Sequence, residues 1–276
     1  MSPLINHVLV GIDGSTESET ILRIAADEAR LRDVPLEIAT VATDPLGTGD
    51  DESVPSSRAE ELESLIERLA SSAGIDDATV SILRGGPAHA LTEAAGSAAL
   101  LVIGTRGRGG FSGLLLGSTS SACLRLAQVP LMIVPPSATP IDGARRLIVE
   151  IDGTAAAKRA LRWAVEEADL APSSAVTAIA VWRRPHLWEP LLSDPSRVAE
   201  RAAHHLDEAI DSIGSHECSL EGAVVEGHVV EELLNASASA DVLVIANDRN
   251  EGGWLEHSAI PVALNSHAQC PVVVVP

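Results

Sequence analysis

The sequence predicts an α/β protein of two tandem, doubly wound domains, each a parallel sheet with helices on both faces. Three observations predict it. Short Val/Ile/Leu runs lack strict alternation, as strands do when both faces are covered. They take turns with segments whose apolar residues recur at helical spacing, which argues βαβ units. The whole order of runs then appears a second time within the 276 residues.

The repeat is legible residue by residue. His7-Val-Leu-Val-Gly-Ile-Asp-Gly-Ser15 returns as Arg146-Leu-Ile-Val-Glu-Ile-Asp-Gly-Thr154, so Asp13 maps to Asp152. Leu100-Leu-Val-Ile103 returns as Val242-Leu-Val-Ile245, and Val129-Pro-Leu-Met-Ile-Val-Pro135 as Cys270-Pro-Val-Val-Val-Val-Pro276. Two homologous domains of about 140 residues fit the usual domain size. They are expected at 1–138 and 144–276. The join is expected within Pro135–Gly143, which holds Pro135, Pro136, Pro140 and Gly143 but little apolar content.

In the first half the expected strands are 6–12, 35–42, 78–83, 99–104 and 130–135. Between them Ala59, Leu62, Leu65, Ile66, Leu69, Ala70 and Ala73 form a helical stripe. Val198, Ala202, Leu206, Ala209, Ile210 and Ile213 form its equivalent in the second half. A further helix is expected to begin at Gly117-Ser118.

Composition removes several functions. Lys and Arg total 19 against 39 Asp and Glu, a formal net charge of −20. Sequence-independent nucleic-acid binding and anionic-membrane binding both need basic patches, so neither is expected. Lys158 is the one lysine, and it lies outside any Walker-type phosphate loop. Cys123, Cys218 and Cys270 are an odd number with no close pair, which implies no disulfide framework. His267 and Cys270 come nearest to a zinc spacing but lack partners. No basic leader or long apolar span is evident, so the expected address is the cytoplasm.

Open α/β sheets bind ligands beyond the carboxyl ends of their strands. Two segments there carry chemistry. Gly11-Ile-Asp13-Gly14-Ser15 follows the first strand. Gly104-Thr105-Arg106-Gly107-Arg108-Gly109-Gly110 follows the fourth and leads to Gly117-Ser118-Thr119. Glycines let the backbone approach a ligand, and successive N–H groups form an anion nest. Arg106 and Arg108 supply cations, and the coming helix supplies free amides and a positive dipole end for phosphate. The alternative reading of this segment is a plain Gly-rich surface loop. Asp13 suits ribose hydroxyls or a magnesium-bound water. Its alternative is local, since Ser15 or Ser18 can cap the following helix with help from Asp13.

The spacing Gly104-x2-Gly107-x9-Gly117-Ser118 resembles the ATP-binding signature of the universal stress protein family. Val10-Gly-Ile-Asp-Gly-Ser15, Gly86-Pro87-Ala88 and the terminal Pro-Val-Val-Val-Val run match that family too, and the resemblance covers the chain as two tandem domains. It implies a five-stranded parallel sheet in each domain, of order 3-2-1-4-5, so that strands 1 and 4 share one crevice. By position it places Gly11 and Asp13 by ribose and phosphates and Val41 against adenine. Gly104 through Gly110 would wrap ribose and phosphate, and Gly117, Ser118 and Thr119 would hold the terminal phosphates. The implied cofactor is ATP, with Mg reached by Asp13 through water. No residue is an obvious general base, so binding with at most slow hydrolysis is expected. The resemblance further implies that the last strands of the two halves pair antiparallel as an internal pseudo-dimer, and a dimer of whole chains is compatible with it.

The second half departs from the pattern. Gly11 becomes Glu150, Gly104 becomes Ala246, Gly107 becomes Arg249, and Gly117-Ser118 aligns with Ser258-Ala259. Asp248, Glu251 and Glu256 add acidic groups where an anion would sit. ATP binding by the first domain alone is therefore expected, with a regulatory or stress role through shape or partner choice. The competing functions are a nucleotide-free scaffold and an adenine-nucleotide hydrolase or ligase. The latter lacks its Ser-Gly-Gly type of pyrophosphate loop after strand 1. Dinucleotide binding lacks G-x-G-x-x-G there.

Overall fold

A computed structural model describes residues 6–42, 56–107, 116–184, 194–247 and 259–276. The chain divides into two compact units, Met1–Pro140 and Ile141–Pro276. The division falls inside the Pro135–Gly143 stretch.

Unit 1 runs β1 (Val8–Gly11), α1 (Ser18–Arg32), β2 (Leu36–Ala42), α2 (Ser56–Ala73), β3 (Ala78–Arg84), α3 (Pro87–Ala94), β4 (Leu100–Gly104), α4 (Ser118–Leu126) and β5 (Leu131–Val134). Within unit 1 the strand pairings are parallel: β1 with β2 and β4, β2 with β3, β4 with β5. The strand order is therefore β3-β2-β1-β4-β5. Reversal of direction between β2 and β4 makes β1/β4 the topological switch point, where open sheets take ligands. The central strands are apolar throughout, as two covered faces require: Val8, Leu9, Val10, Leu100, Leu101 and Val102 are all fully buried. Each such side chain contributes about 1.5–3 kcal/mol of transfer free energy. α1 lays Ile21, Leu22, Ala25 and Ala29 on the sheet. It stops at Asp33, which turns left-handed at φ 53° and donates its N–H back to Ala29 and Arg30.

Unit 2 repeats the plan with β6 (Arg146–Glu150), α5 (Ala155–Asp169), β7 (Ala175–Trp182), α6 (Pro195–Asp211), β8 (Ser219–Glu226), α7 (Val229–Ser237), β9 (Val242–Ala246), α8 (Ala259–His267) and β10 (Val272–Val275). Its parallel pairings give β8-β7-β6-β9-β10. Two ion pairs anchor the entry to β6. The buried Arg145 guanidinium lies 3.2 Å from the buried Glu167 carboxylate of α5. Arg146 donates through Nε and Nη2 to Asp241 at 3.1 and 3.0 Å.

Candidate functional site

The crevice of unit 1 opens where β1 and β4 end side by side. Gly11 is level with Ala39 of β2 and Ile103 of β4. Beyond it the chain turns through Asp13 and Gly14, whose φ of 75° is a left-handed value that glycine adopts without strain. Asp13 Oδ1 accepts the Ser15 N–H at 3.0 Å, which fixes the turn. The capping alternative is not what unit 1 uses. α1 begins only at Ser18, its N-cap is Glu17, and no side chain caps it. In unit 2 that alternative holds. Thr154 is the N-cap of α5 and accepts from Ala157 N at 3.1 Å, while its hydroxyl donates to Asp152 Oδ1 at 2.6 Å.

The two candidate segments converge in unit 1. A Cβ placed on Gly107 would lie 2.5 Å from Asp13 Oδ2, so the Asp13 carboxylate rests directly against the Gly107 backbone. Any side chain there would displace the Asp13 carboxylate. Arg106 and Gly107 are exposed, Thr105 is buried, and Val41 is half-buried at the end of β2. Arg108, Gly109 and Gly110 lie outside the described residues.

The start of α4 is held from behind. Gly117 is its N-cap in extended conformation, with no side-chain cap. The Gly117 N–H donates to the Thr105 carbonyl at 2.8 Å. The amides of Ser118, Thr119 and Ser120 are then the first-turn donors without an intrahelical acceptor. Sequence reasoning missed Ser120. Its buried hydroxyl donates to the Gly104 carbonyl at 2.7 Å and so ties α4 to the end of β4. Its place three and four residues before Cys123 and Leu124, on the same helix face, was the available signal. In unit 2 the aligned position is Pro261, which has no hydroxyl to repeat this tie.

Two glycines have a packing reason that sequence does not reveal. A Cβ on Gly11 would lie 2.9 Å from Leu91 Cδ2 of α3, and one on Gly104 would lie 2.7 Å from Ile21 Cδ1 of α1. Both glycines let a helix seat closely on the sheet; the space beside their α-carbons is filled by side chains.

Unit 2 presents a different surface. Glu150 stands at the end of β6, where burial, reinforced by nearby Asp152, pushes its carboxyl up to about 7. Gly153, at φ 88°, is covered by the His205 ring of α6, which would collide with any Cβ there. His205 is thus a packed residue rather than a solvated one, whereas His204 is exposed at 3.5 Å from Glu208. Ala246 ends β9; Asp248, Arg249, Glu251, Glu256 and Ser258 lie outside the described residues. Among the described residues no group of three or more His, Cys, Asp or Glu could hold a metal ion. No described helix is long and apolar enough to cross a membrane.

The model of the universal stress protein family matches residues 5–135 and again 143–276. A universal stress protein of Mycolicibacterium smegmatis is 42% identical over 137 residues, 47% of this chain and 45% of that protein. The chain thus spans about half the length of the first curated relatives it matches. A universal stress protein of Mycobacterium tuberculosis (strain CDC 1551 / Oshkosh) is 25% identical over 303 residues, covering 97% of this chain and 94% of its own. The crystal structure of a universal stress protein from Archaeoglobus fulgidus DSM 4304 superimposes with a TM-score of 0.65. It is 20% identical and covers 98% of this chain and 96% of its own, which is a likeness of fold.

Proposed function

Because the chain belongs to the universal stress protein family through both of its halves, we propose that it is an ATP-binding regulatory protein with one nucleotide site, in unit 1. The observation that carries this reading is the meeting of the Asp13 carboxylate with Gly107, which joins the β1 and β4 segments into one crevice. In this reading Asp13 takes the ribose hydroxyls or, through water, the magnesium of Mg-ATP. Val41 borders the adenine, and Gly104 through Gly110 follow ribose and phosphate. Ser118 and Thr119 meet the terminal phosphates with the unbonded amides at the head of α4. Gly117 serves as the bracket that aims those amides, since its own N–H is already given to Thr105. Arg106 and Arg108 add charge. The bound nucleotide acts through conformation or partner choice, with turnover no faster than slow hydrolysis, in a cytoplasmic setting.

Unit 2 is the nucleotide-free copy in this proposal. Thr154 and Asp152 are committed to capping α5, Ser120 is replaced by Pro261, and Gly11 by Glu150. The test is titration of nucleotide-stripped whole chain with Mg-ATP, beside the Gly117→Glu variant. Saturable binding that the variant loses is expected, because a carboxylate at the head of α4 repels phosphate. Absence of binding by the parent chain at millimolar ATP would overturn the reading and leave a scaffold.

A further inference from the structure

The first peptides beyond β4 are held from two sides. From the sheet, the Thr105 N–H donates to the Val134 carbonyl at the end of β5, at 3.1 Å. From α4, the Ser120 hydroxyl donates to the Gly104 carbonyl at 2.7 Å and lies 3.3 Å from the Thr105 carbonyl. The Thr105 carbonyl also accepts the Gly117 N–H at 2.8 Å. The head of α4 therefore lies directly on this backbone. A Cβ on Gly117 would stand 3.2 Å from the Thr105 oxygen and 3.5 Å from the Arg106 α-carbon. Ser120 and Thr105 are both buried, so water competes little for these bonds.

Unit 2 separates the two sides. The Asn247 N–H donates to the Val275 carbonyl at 2.7 Å, as Thr105 does to Val134. The α8 residue aligned with Ser120 is Pro261, which brings no hydroxyl. Unit 2 thus builds the same strand order and keeps the sheet-side bond without a helix-side hydroxyl. The tie from Ser120 is not a demand of the fold. It accompanies the unit whose β4 loop and α4 head carry Gly104, Gly107 and Gly117-Ser118.

We infer that Ser120 is a positioning residue for the phosphate end of the nucleotide site: its hydroxyl fixes how far the head of α4 stands from the β4 loop, and so sets a preference for nucleotides with a long phosphate tail. This rests on the reading of unit 1 as the nucleotide site. Two consequences of the tie lead to it. The Gly104 and Thr105 carbonyls are engaged by α4, so their negative ends face the helix and not a phosphate. The turn that carries the Ser118 and Thr119 amides is pinned at Ser120, so those donors and the positive end of the helix are set in place before a ligand arrives. Val41 and Asp13 belong to β2 and to the turn after β1, so the adenine and ribose contacts do not run through this tie.

The test titrates the nucleotide-stripped whole chain calorimetrically with Mg-ATP and with AMP. Ser120→Ala is expected to weaken Mg-ATP about tenfold, the worth of one well-formed hydrogen bond, and AMP by no more than about twofold. Ser120→Thr keeps the hydroxyl and should hold Mg-ATP within about twofold of the parent. Unchanged Mg-ATP affinity in Ser120→Ala, an equal loss of both ligands, or failure of threonine to restore binding would overturn the inference while the nucleotide site stands. A parent chain that binds no Mg-ATP removes the site itself, and the inference with it. Where a variant fails to fold or AMP binds too weakly to compare, amide exchange of the nucleotide-free parent decides. Protection of the Gly117 amide supports a head set in place beforehand, and exchange at the intrinsic rate refutes it.

Discussion

Substituting valine at Gly107 tests whether the β1 and β4 segments act as one unit. The new Cβ would lie 2.5 Å from Asp13 Oδ2 and 3.4 Å from Asp13 Cγ. An ordinary carbon–oxygen contact is well over 3 Å, so the carboxylate must swing away by most of an ångström. That movement strains the 3.0 Å hydrogen bond from Ser15 N to Asp13 Oδ1, which sets the turn after β1. A hydrogen bond to a charged acceptor contributes about 1.5–3 kcal/mol when buried, and Asp13 is only half-buried, so a loss of about 1 kcal/mol is reasonable. For a domain of this size that is a fall of about 2–4 °C in Tm. Mg-ATP affinity should fall more, by about tenfold or beyond, because the displaced carboxylate is itself the proposed ribose and magnesium contact. Gly96→Ala is the control, since a Cβ at Gly96 meets nothing within 4 Å. It should leave stability within about 0.5 kcal/mol of the parent and ATP affinity intact. Thermal melts and calorimetry on the same preparations decide. Unchanged Tm and affinity in Gly107→Val would refute the claim that the two segments are mechanically joined.

Three further outcomes follow from unit-level geometry. Arg145→Met should cost about 3–5 kcal/mol in a denaturant titration of unit 2, because it strands the buried Glu167 carboxylate without that guanidinium. Thr154→Ala removes the hydroxyl that caps α5 and should cost about 1 kcal/mol, whereas Ser15→Ala, at a position that caps nothing, should cost less. Burial pushes the Cys123 and Cys270 thiols up to about 12 and Cys218 up to about 11. None should react appreciably with a thiol-specific reagent at pH 8 in the native chain, and all three should react in denaturant. Fast native labelling of Cys123 or Cys270 would show that the sheet opens there.

Much of this architecture is legible in the sequence. The apolar runs named all five strands of the first half to within about two residues at either end, the usual uncertainty of element boundaries. The helical stripe from Ala59 to Ala73 lies in α2, and Gly117-Ser118 marks the first turn of α4. These are local signals, carried by periodicity and by residue type at a turn. What was hidden depends on partners far away in sequence. The Asp13–Gly107 contact joins residues brought together only by the β1–β4 pairing. Gly11 and Gly104 also serve the packing of Leu91 and Ile21, which lie beside them. The equivalence of the two Asp-Gly-Ser/Thr turns also misled. One caps its helix and the other does not, because α1 starts two residues later relative to its turn than α5 does to its own.

The asymmetry between the two units is the central claim, and the most direct measurement of it is the number of nucleotides bound per chain. Nucleotide-stripped protein of known active concentration, titrated calorimetrically with Mg-ATP, should bind one equivalent, and Gly117→Glu should bind none. Two equivalents per chain, or one that survives Gly117→Glu, would contradict the assignment of the site to unit 1.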